Sequence, residues 1–299
     1  MYAASRSAGA LVRYDSCMTD YPLADLALSR RLERCEGRAN AAFVEARARI
    51  APEIGAQWIE RAGALAMFDG AGSPLTQTFA LGVTATPTAD DLEAIETFFA
   101  ERGADVYHEV SPMAGPETLA LLVARGYRPV ELTSVMYQPI GGFVARGGAE
   151  TRVRARLAGA HELEAWASCV VEGWSEFVEL GPMMRDMAAV SATARGTHVF
   201  FAEREGRPIG TGALTIQEGV ALLAGASTIP AERNQGAQRA LLETRLQYAA
   251  AQGCDLAMMC AAPGSASQRN AERQGFRIAY TRIKWGRDAN REQLQSPHA

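Results

Sequence analysis

The sequence predicts an α/β protein (mixed α+β) made of two tandem copies of one domain, each a central mixed sheet flanked by helices. The first observation behind this prediction is an internal repeat at about half of the chain length. The second is the order of the elements, in which strands come first and then alternate with helices. The length of 299 residues agrees, because roughly 100–200 residues per domain gives two domains.

The internal repeat consists of two matches that occur in the same order. A helix end followed by Gly-x-Asp and an apolar run occurs at Gly103 and again at Gly253, 150 residues later. A Gly-aromatic-Arg triplet occurs at Gly126 and again at Gly275, 149 residues later. Two ordered matches at nearly one spacing are not expected by chance, so the chain is predicted to contain two copies of one fold.

Strands in the second half are predicted from alternating or buried apolar runs, and helices from apolar residues three and four positions apart. In chain order they are a strand at 151–158, helices at 161–176 and 181–194, strands at 198–203, 208–216 and 220–229, a helix at 236–252, a strand at 256–262, a helix from residue 265 and a strand at 276–285. Pro230 ends the strand before it, because proline has no N–H to donate to a central ladder.

The first half repeats the later part of that order. Its predicted elements are strands at 64–70 and 75–83, a helix at 89–102, a strand at 106–111 and a short helix at 116–125. Residues 22–50 are predicted to be mostly helical, with an interruption near Gly37. Four glycines within 141–150 predict a linker. The predicted domains are therefore 1–145 and 146–287, followed by a polar tail at 288–299.

The composition narrows the choice of partners. A net charge of −4 gives no concentrated positive field for nucleic acid, and no apolar window approaches the roughly 18 residues of a membrane span. Five scattered cysteines without a Cys-x-x-Cys pair, and only four histidines, predict neither a metal site nor a disulfide framework. Asp15 and Asp20 argue against a signal peptide. We expect a cytoplasmic protein that interacts with no nucleic acid and no membrane, and both a monomer and a homodimer remain open.

The stretch STIPAERNQGAQRALL at 227–242 carries the clearest chemical signal. A buried strand ends, a short basic turn follows, and a helix begins. Unpaired backbone N–H groups and the helix dipole then meet at one point, which suits a pyrophosphate. Gly236 would let the backbone approach phosphate oxygens, and Arg233 could add a charged contact. On spacing alone, a plain helix start with a solvated arginine explains these residues equally well.

This turn resembles the phosphate-binding signature of the GNAT family of N-acetyltransferases, which is Arg/Gln-x-x-Gly-x-Gly/Ala between a strand and a helix. The matching residues are Arg233, Asn234, Gln235, Gly236, Ala237 and Gln238. Gln238 departs from the usual Gly or Ala. The similarity extends in element order over residues 151–287, whereas the sequence has no P-loop and no dinucleotide-binding glycine pattern.

The resemblance implies two tandem acyl-CoA N-acyltransferase-like domains and acetyl-CoA as co-substrate, without a metal. In the family, the strand end holds the pantetheine arm through its backbone and the amides of the turn hold the pyrophosphate. The cofactor-binding residues carried over on that basis are Ser227, Thr228, Ile229, Arg233, Asn234, Gln235, Gly236, Ala237, Gln238 and Asn270. The alternative for Asn270 is an ordinary exposed helix residue, and Ser267 is a weaker candidate.

The first half lacks the phosphate-binding turn. VTATPTADD stands at 83–91, and Asp90 and Asp91 are predicted to cap the next helix, where their carboxylates would repel a pyrophosphate. One cofactor site per chain, in the second domain, is therefore expected. The first domain is predicted to be a degenerate copy that serves as a packing partner, a wall of the substrate cleft or a contact for another chain.

The catalytic residues are left unknown. Many GNAT relatives have a tyrosine four residues before the Gly-aromatic pair, where this chain has Ala271. Relatives often have a carboxylate on the strand before the turn, but residues 220–229 contain none. The tentative substrate-binding residues are Trp174, Glu176 and Phe177. An aromatic wall with a carboxylate suits a cationic amine, and core packing of the two aromatic side chains is the alternative.

Three functions are compatible with these observations. The first is an N-acetyltransferase that moves an acetyl group from acetyl-CoA to the amine of a small metabolite or peptide. The second is a non-catalytic acyl-CoA-binding sensor or regulatory protein, which the missing tyrosine and strand carboxylate favour. The third is an interaction protein in which both copies have lost their function. The intact turn from Arg233 to Gly236 argues against this third function.

Overall fold

The computed structural model describes residues 21–143 and 152–287. The helices are α1 (Leu26–Ile50), α2 (Ala89–Ala100), α3 (Gly115–Ala124), α4 (Leu163–Gly173), α5 (Gly181–Thr193), α6 (Ala237–Ala251) and α7 (Ala266–Arg273). The strands are β1 (Gln57–Arg61), β2 (Ala64–Phe68), β3 (Gln77–Phe79), β4 (Val106–Val110), β5 (Arg128–Pro139), β6 (Val153–Leu157), β7 (Thr197–Arg204), β8 (Arg207–Gln217), β9 (Val220–Thr228), β10 (Leu256–Ala261) and β11 (Arg277–Arg287). The predicted domain boundary at 145/146 and the predicted tail at 288–299 lie outside the described residues.

All strands of the described ranges form one sheet in the order β1-β2-β3-β4-β11-β5-β10-β9-β8-β7-β6. Strand β11, the last of the second half, lies between β4 and β5 of the first half and is antiparallel to both. Strand β5, the last of the first half, pairs in turn with β10 of the second half. The predicted fold class is confirmed, and the two predicted sheets are continuous because the halves exchange their last strands.

Helices cover both faces of this sheet. Adjacent residues of a strand point to opposite faces, and Phe200 and Phe201 on β7 show which helices lie where. Phe201 packs beneath α4 and α5 together with Trp166, whereas Phe200 packs beneath α6 together with Leu246. Helix α1 lies on the same face as α4 and α5. Helices α2, α3 and α7 lie on the face of α6.

Helix α1 ties the two halves together. Its first turns pack on Leu222 and Met258 of the second half, and its later turns pack on Leu65 of the first half. The predicted interruption near Gly37 was wrong, since α1 is continuous through it. A Cβ at Gly37 would lie 2.7 Å from Leu65 Cδ1, so this glycine permits close packing of the helix on β2.

A buried polar cluster lies under α1 at the centre of the sheet. The guanidinium of Arg282 on β11 contacts Glu36 at 2.6 Å and Glu109 at 2.9 Å. Tyr280 donates a hydrogen bond to Glu33 at 2.9 Å. Burial raises the pKa of Glu33 to about 7, and the charge of Arg282 opposes this rise. Tyr280 is buried in this cluster, which joins α1 to the exchanged strand β11.

Candidate functional site

An opening in the sheet lies between β9 and β10. The two strands pair in parallel only from Val220 to Leu222 on β9, and β10 then continues along β5 alone. The rest of β9 pairs with β8 on one side and has no strand partner on the other. Its residues Ala224 to Ala226 are exposed, although the residues on both sides of them are buried. The sheet of the second half is therefore splayed between β9 and β10.

The open edge of β9 contains a β-bulge. Ala213 of β8 faces Ala224 and Thr211 faces Ser227, so β9 has one residue more than β8 across this step. Gly225 lies inside the bulge with φ of +58°, a left-handed conformation that favours glycine. The bulge lies at the point where β10 has left β9.

The turn after β9 leads into an uncapped helix. Asn234 has φ of +64°, and Gly236, the N-cap residue of α6, has φ of +89°. No side chain caps α6, and the backbone N–H groups of residues 235–238 have no acceptor among the described residues. A Cβ at Gly236 would have no atom within 4 Å. The helix therefore presents several N–H donors and the positive end of its dipole to open space, which is an arrangement that binds anions.

Side chains at the end of β9 form hydrogen bonds with other side chains of the protein. Ser227 is buried and shares a hydrogen bond of 2.8 Å with Thr211. Gln238, the residue that departs from the family signature, donates from Nε2 to Thr228 Oγ1 at 2.8 Å. The backbone N–H of Ile229 donates to the carbonyl of Ile209. Gln238 thus ties the first turn of α6 to the end of β9.

Arg233, the predicted phosphate contact, forms an ion pair with Glu176, the tentative substrate-binding carboxylate. Arg233 Nη1 lies 2.6 Å from Glu176 Oε2, and both side chains are about half exposed, at 45% and 51%. Trp174 and Phe177 lie in the same segment between α4 and α5 with ring centroids 6.1 Å apart. Phe177 is 48% exposed and Trp174 is 36% exposed. The alternative that these two rings are packed in the core is therefore wrong.

Helix α7 presents the remaining candidates. Asn270 and Ser267 are exposed and have no side-chain hydrogen bond to the described residues. Ala271, at the position where relatives have a tyrosine, is buried in the core beside Phe276. Strand β9 has no acidic or basic side chain, and residue 271 of α7 is not ionisable. Within the described ranges, no group of three or more His, Cys, Asp or Glu side chains is arranged to hold a metal ion.

Comparison with known families identifies the part of the chain that contains this site. Residues 163–276 match the model of the family described as "Acetyltransferase (GNAT) family". These residues form a GNAT domain. The match runs from the start of α4 to the residue before β11, and so includes the open edge of β9 and the uncapped helix α6. Domains of the GNAT family transfer acyl groups from CoA. No curated protein matches the chain.

Solved structures extend the likeness over both halves. A GCN5-related N-acetyltransferase from Kribbella flavida covers 84% of this chain and 94% of its own length, at 20% identity and a TM-score of 0.60. A tandem GNAT protein from the clavulanic acid biosynthesis pathway covers 89% of this chain and 96% of its own length, at 12% identity and a TM-score of 0.57. At such identities the likeness concerns the fold, which is that of GNAT proteins. No helix of the described residues is long and apolar enough to cross a membrane.

Sequence reasoning missed two features of the opening. Gly225 lies within an otherwise apolar run, and a glycine inside a strand pattern is a signal for a bulge. Arg245 lies between Leu242 and Leu246 on the buried side of α6, where the pattern calls for an apolar residue. Both residues contribute to the geometry of β9.

Proposed function

We propose that the second half binds acetyl-CoA and transfers the acetyl group to the amine of a small metabolite or peptide. The observation that carries this proposal is the uncapped N-terminus of α6 beside the unpaired edge of β9. Both belong to the segment that matches the GNAT family. A cytoplasmic location fits the proposal, since the four described cysteines are free thiols.

The cofactor would lie along the opening, and different residues would bind its pyrophosphate, its pantetheine arm and its acyl group. The N–H groups of residues 234–238 would bind the pyrophosphate, and Arg233 would add its charge. The backbone of β9 from Ser227 to Ile229 would pair with the amides of the pantetheine arm. Asn270 on α7, the helix that follows β10, would bond the arm from the other side. The acyl group would then lie beside the exposed bulge at Ala224 to Ala226.

The acceptor would enter on the side of α4 and α5. Trp174 and Phe177 offer an exposed aromatic surface, and Glu176 offers a carboxylate for a cationic amine. In the structure this carboxylate pairs with Arg233, so a phosphate that binds Arg233 would release Glu176 toward the acceptor. An amine-containing metabolite or a peptide N-terminus has the chemistry that these three residues suit.

Acyl transfer from a thioester to an amine needs little acid–base catalysis by the protein. The amine nitrogen attacks the thioester carbon, the C–S bond breaks, and CoA leaves as a thiolate that is protonated from solvent. Orientation of the two reactants supplies most of the acceleration in such a reaction. Water can accept the amine proton, because no carboxylate or tyrosine stands on β9 or at residue 271.

A non-catalytic acyl-CoA-binding sensor or regulatory protein is the alternative. Buried Ala271 and a strand β9 without a titratable side chain favour it, because both positions can carry proton-transfer groups in relatives. The two functions share the cofactor site and differ only in turnover.

Calorimetric titration with acetyl-CoA, followed by a free-thiol assay with a panel of amines, tests both functions. We expect one equivalent to bind the wild-type chain and no binding to Arg233→Ala/Gly236→Glu. Amine-dependent thiol release by the wild type would support the transferase, and binding without release from any amine would support the sensor. Absence of acetyl-CoA binding to the wild type would contradict both.

A further inference from the structure

A buried cation lies directly behind the open edge of β9. Arg245 is only 4% exposed, in the middle of α6, among side chains that are otherwise apolar. Its partners are three backbone carbonyls: Nη1 donates to Ala213 at 2.9 Å and to Ala224 at 3.2 Å, and Nε donates to Leu241 at 3.2 Å. Two of these carbonyls belong to the pair of residues that flanks the bulge.

No carboxylate of the described residues forms an ion pair with Arg245. Two other arginines of the described ranges are buried to a similar degree. Arg47 contacts two carboxylates, and Arg282 contacts three. Burial lowers the pKa of Arg245 to about 10, so the side chain is still a cation at neutral pH. An uncompensated buried charge is costly, and a leucine could fill the same space without that cost.

Strand β8 is shaped to receive this guanidinium. A Cβ at Gly212 would lie 3.0 Å from Arg245 Cζ, so the guanidinium lies over a residue without a side chain. Gly212 is also the residue of β8 that the ladder skips, between the pairs formed by Thr211 and Ala213. Ala224 lies next to the bulge, and its carbonyl accepts a hydrogen bond from Arg245 of α6. The arginine, the glycine and the bulge therefore form one unit.

We infer that Arg245 is a positioning residue for acyl transfer, which holds the β9 bulge in place and gives the open edge a positive potential. This inference rests on the proposed function. During transfer the thioester carbonyl oxygen becomes negative when the amine nitrogen bonds to its carbon, and the charge disappears when the C–S bond breaks and CoA leaves. A fixed positive charge behind the edge where that carbonyl lies stabilises the negative intermediate more than the neutral thioester. Arg245 acts through the backbone of Ala224 and does not touch the substrate.

The test uses the carbonyl stretch of bound acetyl-CoA, which requires no acceptor. Isotope-edited infrared spectra are recorded with acetyl-CoA carrying ¹³C at its carbonyl, free and bound to the full chain. Polarisation by the edge lowers the stretching frequency in the wild-type complex. We expect Arg245→Leu to lose most of that shift while CoA without an acyl group binds as it does to the wild type. Arg245→Lys, which keeps the charge, should restore part of the shift.

Two further variants separate positioning from stability. Arg47→Met removes a buried guanidinium of α1 whose partners, Asp69 and Asp186, belong to none of β8, β9 and α6. It should lower the unfolding temperature and leave the carbonyl shift unchanged. Gly212→Ala displaces the guanidinium of Arg245 without removing it, and should reduce the shift even if Arg245→Leu does not fold.

The outcomes distinguish this inference from the proposed function. If the wild-type chain does not bind acetyl-CoA, the proposed function fails and the role of Arg245 fails with it. If the wild type binds and Arg245→Leu shows an unchanged carbonyl shift, only the role of Arg245 is overturned. If Arg245→Leu loses affinity for CoA itself as well, Arg245 merely supports the fold of the opening, and the inference is likewise overturned.

Discussion

The two halves of the chain begin equivalent helices in opposite ways. Helix α2 has a capping box, in which Thr88 Oγ1 accepts from the N–H of Asp91 and the carboxylate of Asp91 accepts from the N–H of Thr88. The hydrogen bonds from Thr88 lower the pKa of Asp91, which stays charged at the positive end of the helix. Helix α6 begins at Gly236 with no side-chain cap and no acidic residue in its first turn. The capping box of α2 satisfies the N–H groups of Thr88 and Asp91, whereas the first N–H groups of α6 have no acceptor among the described residues.

The gap in front of each helix differs as well. Strands β3 and β4 pair at a single position, so the first half also has a place where its strands part. Residues after β3 fill that place: Leu81 is fully buried, and a Cβ at Gly82 would lie 2.6 Å from Thr118 Oγ1 and 2.8 Å from Ala114 Cβ. In the second half the turn at residues 233–236 is exposed. Within the described residues, the arrangement that we propose as the acetyl-CoA site is therefore found only where the side-chain cap is missing and the gap is open.

Among the substitutions that test this difference between α2 and α6, Gly236→Glu should have the largest effect. It places a carboxylate at the uncapped N-terminus of α6. Two unit charges 4 Å apart interact by about 4 kcal/mol near a protein surface. We therefore expect the affinity for acetyl-CoA to fall by about a hundredfold or more, measured by calorimetric titration.

Gly253→Glu is the matched control for that substitution. Gly253 follows the other end of α6 and has φ of +83°, and a Cβ there would also have no atom within 4 Å. It tests the same backbone strain and the same added charge away from the N-terminus. Equal losses of affinity in both variants would show that strain, and not charge at the α6 N-terminus, is responsible.

The core of the first half should make its stability sensitive to acid. His108 on β4 is fully buried, and neither ring nitrogen has a hydrogen-bond partner among the described residues. Burial lowers its pKa to about 3, so between pH 6.5 and 3 the unfolded chain binds a proton that the folded chain does not. The contribution of His108 to stability should therefore fall as the pH falls below 6.5, by up to about 1.4 kcal/mol per pH unit. Buried Glu33, whose pKa is raised to about 7, contributes in the opposite direction over the same range.

His108→Leu removes this contribution. We expect its unfolding temperature to rise relative to that of the wild type as the pH is lowered from 7 to 5. His161→Gln, at an exposed histidine in the second half, should leave the pH dependence unchanged. If His108→Leu keeps the slope of the wild type, the acid sensitivity has its source elsewhere in the chain.

The sequence predicted most elements because their apolar periods were regular. The strands and helices from β7 to α7 lie within a few residues of their predicted ranges, and Asp90 and Asp91 lie in the first turn of α2 as predicted. Strand β1 was missed because QWIER alternates weakly and its residues are half-buried or exposed. The exchange of β5 and β11 could not be predicted, since either strand would complete the sheet of either half.

The candidate site could be predicted only where residue identity carries the chemistry. Gly236 and the turn before it were recognised from their resemblance to the family signature, and they remain predictions as cofactor-binding residues. The pairing of Arg233 with Glu176 was not foreseen, because 57 residues separate them and no local pattern connects them. The closed gap beside Gly82 was also out of reach, since it depends on how close α3 lies to the turn after β3.

Removal of the α2 cap should have a smaller effect, confined to stability. Thr88→Ala deletes the side chain that accepts from the N–H of Asp91 and should lower the free energy of unfolding by about 1 kcal/mol, measured by urea denaturation. Calorimetry should still show one equivalent of acetyl-CoA per chain, because Gly82 and its neighbours still occupy the gap. A second equivalent bound by this variant would show that the cap alone had closed the first half.

The smallest effect should come from loss of the ion pair between Arg233 and Glu176. Glu176→Gln releases Arg233 for the phosphates of acetyl-CoA. Exposed pairs contribute about 0.2–1 kcal/mol, so the affinity should rise by no more than about fivefold. The gain should shrink at high salt, because both side chains are about half exposed. Glu164→Gln, which breaks the exposed pair with Arg185 between α4 and α5, should leave the affinity unchanged. A lower affinity in Glu176→Gln would mean that Glu176 orients Arg233 toward the cofactor and does not compete for it.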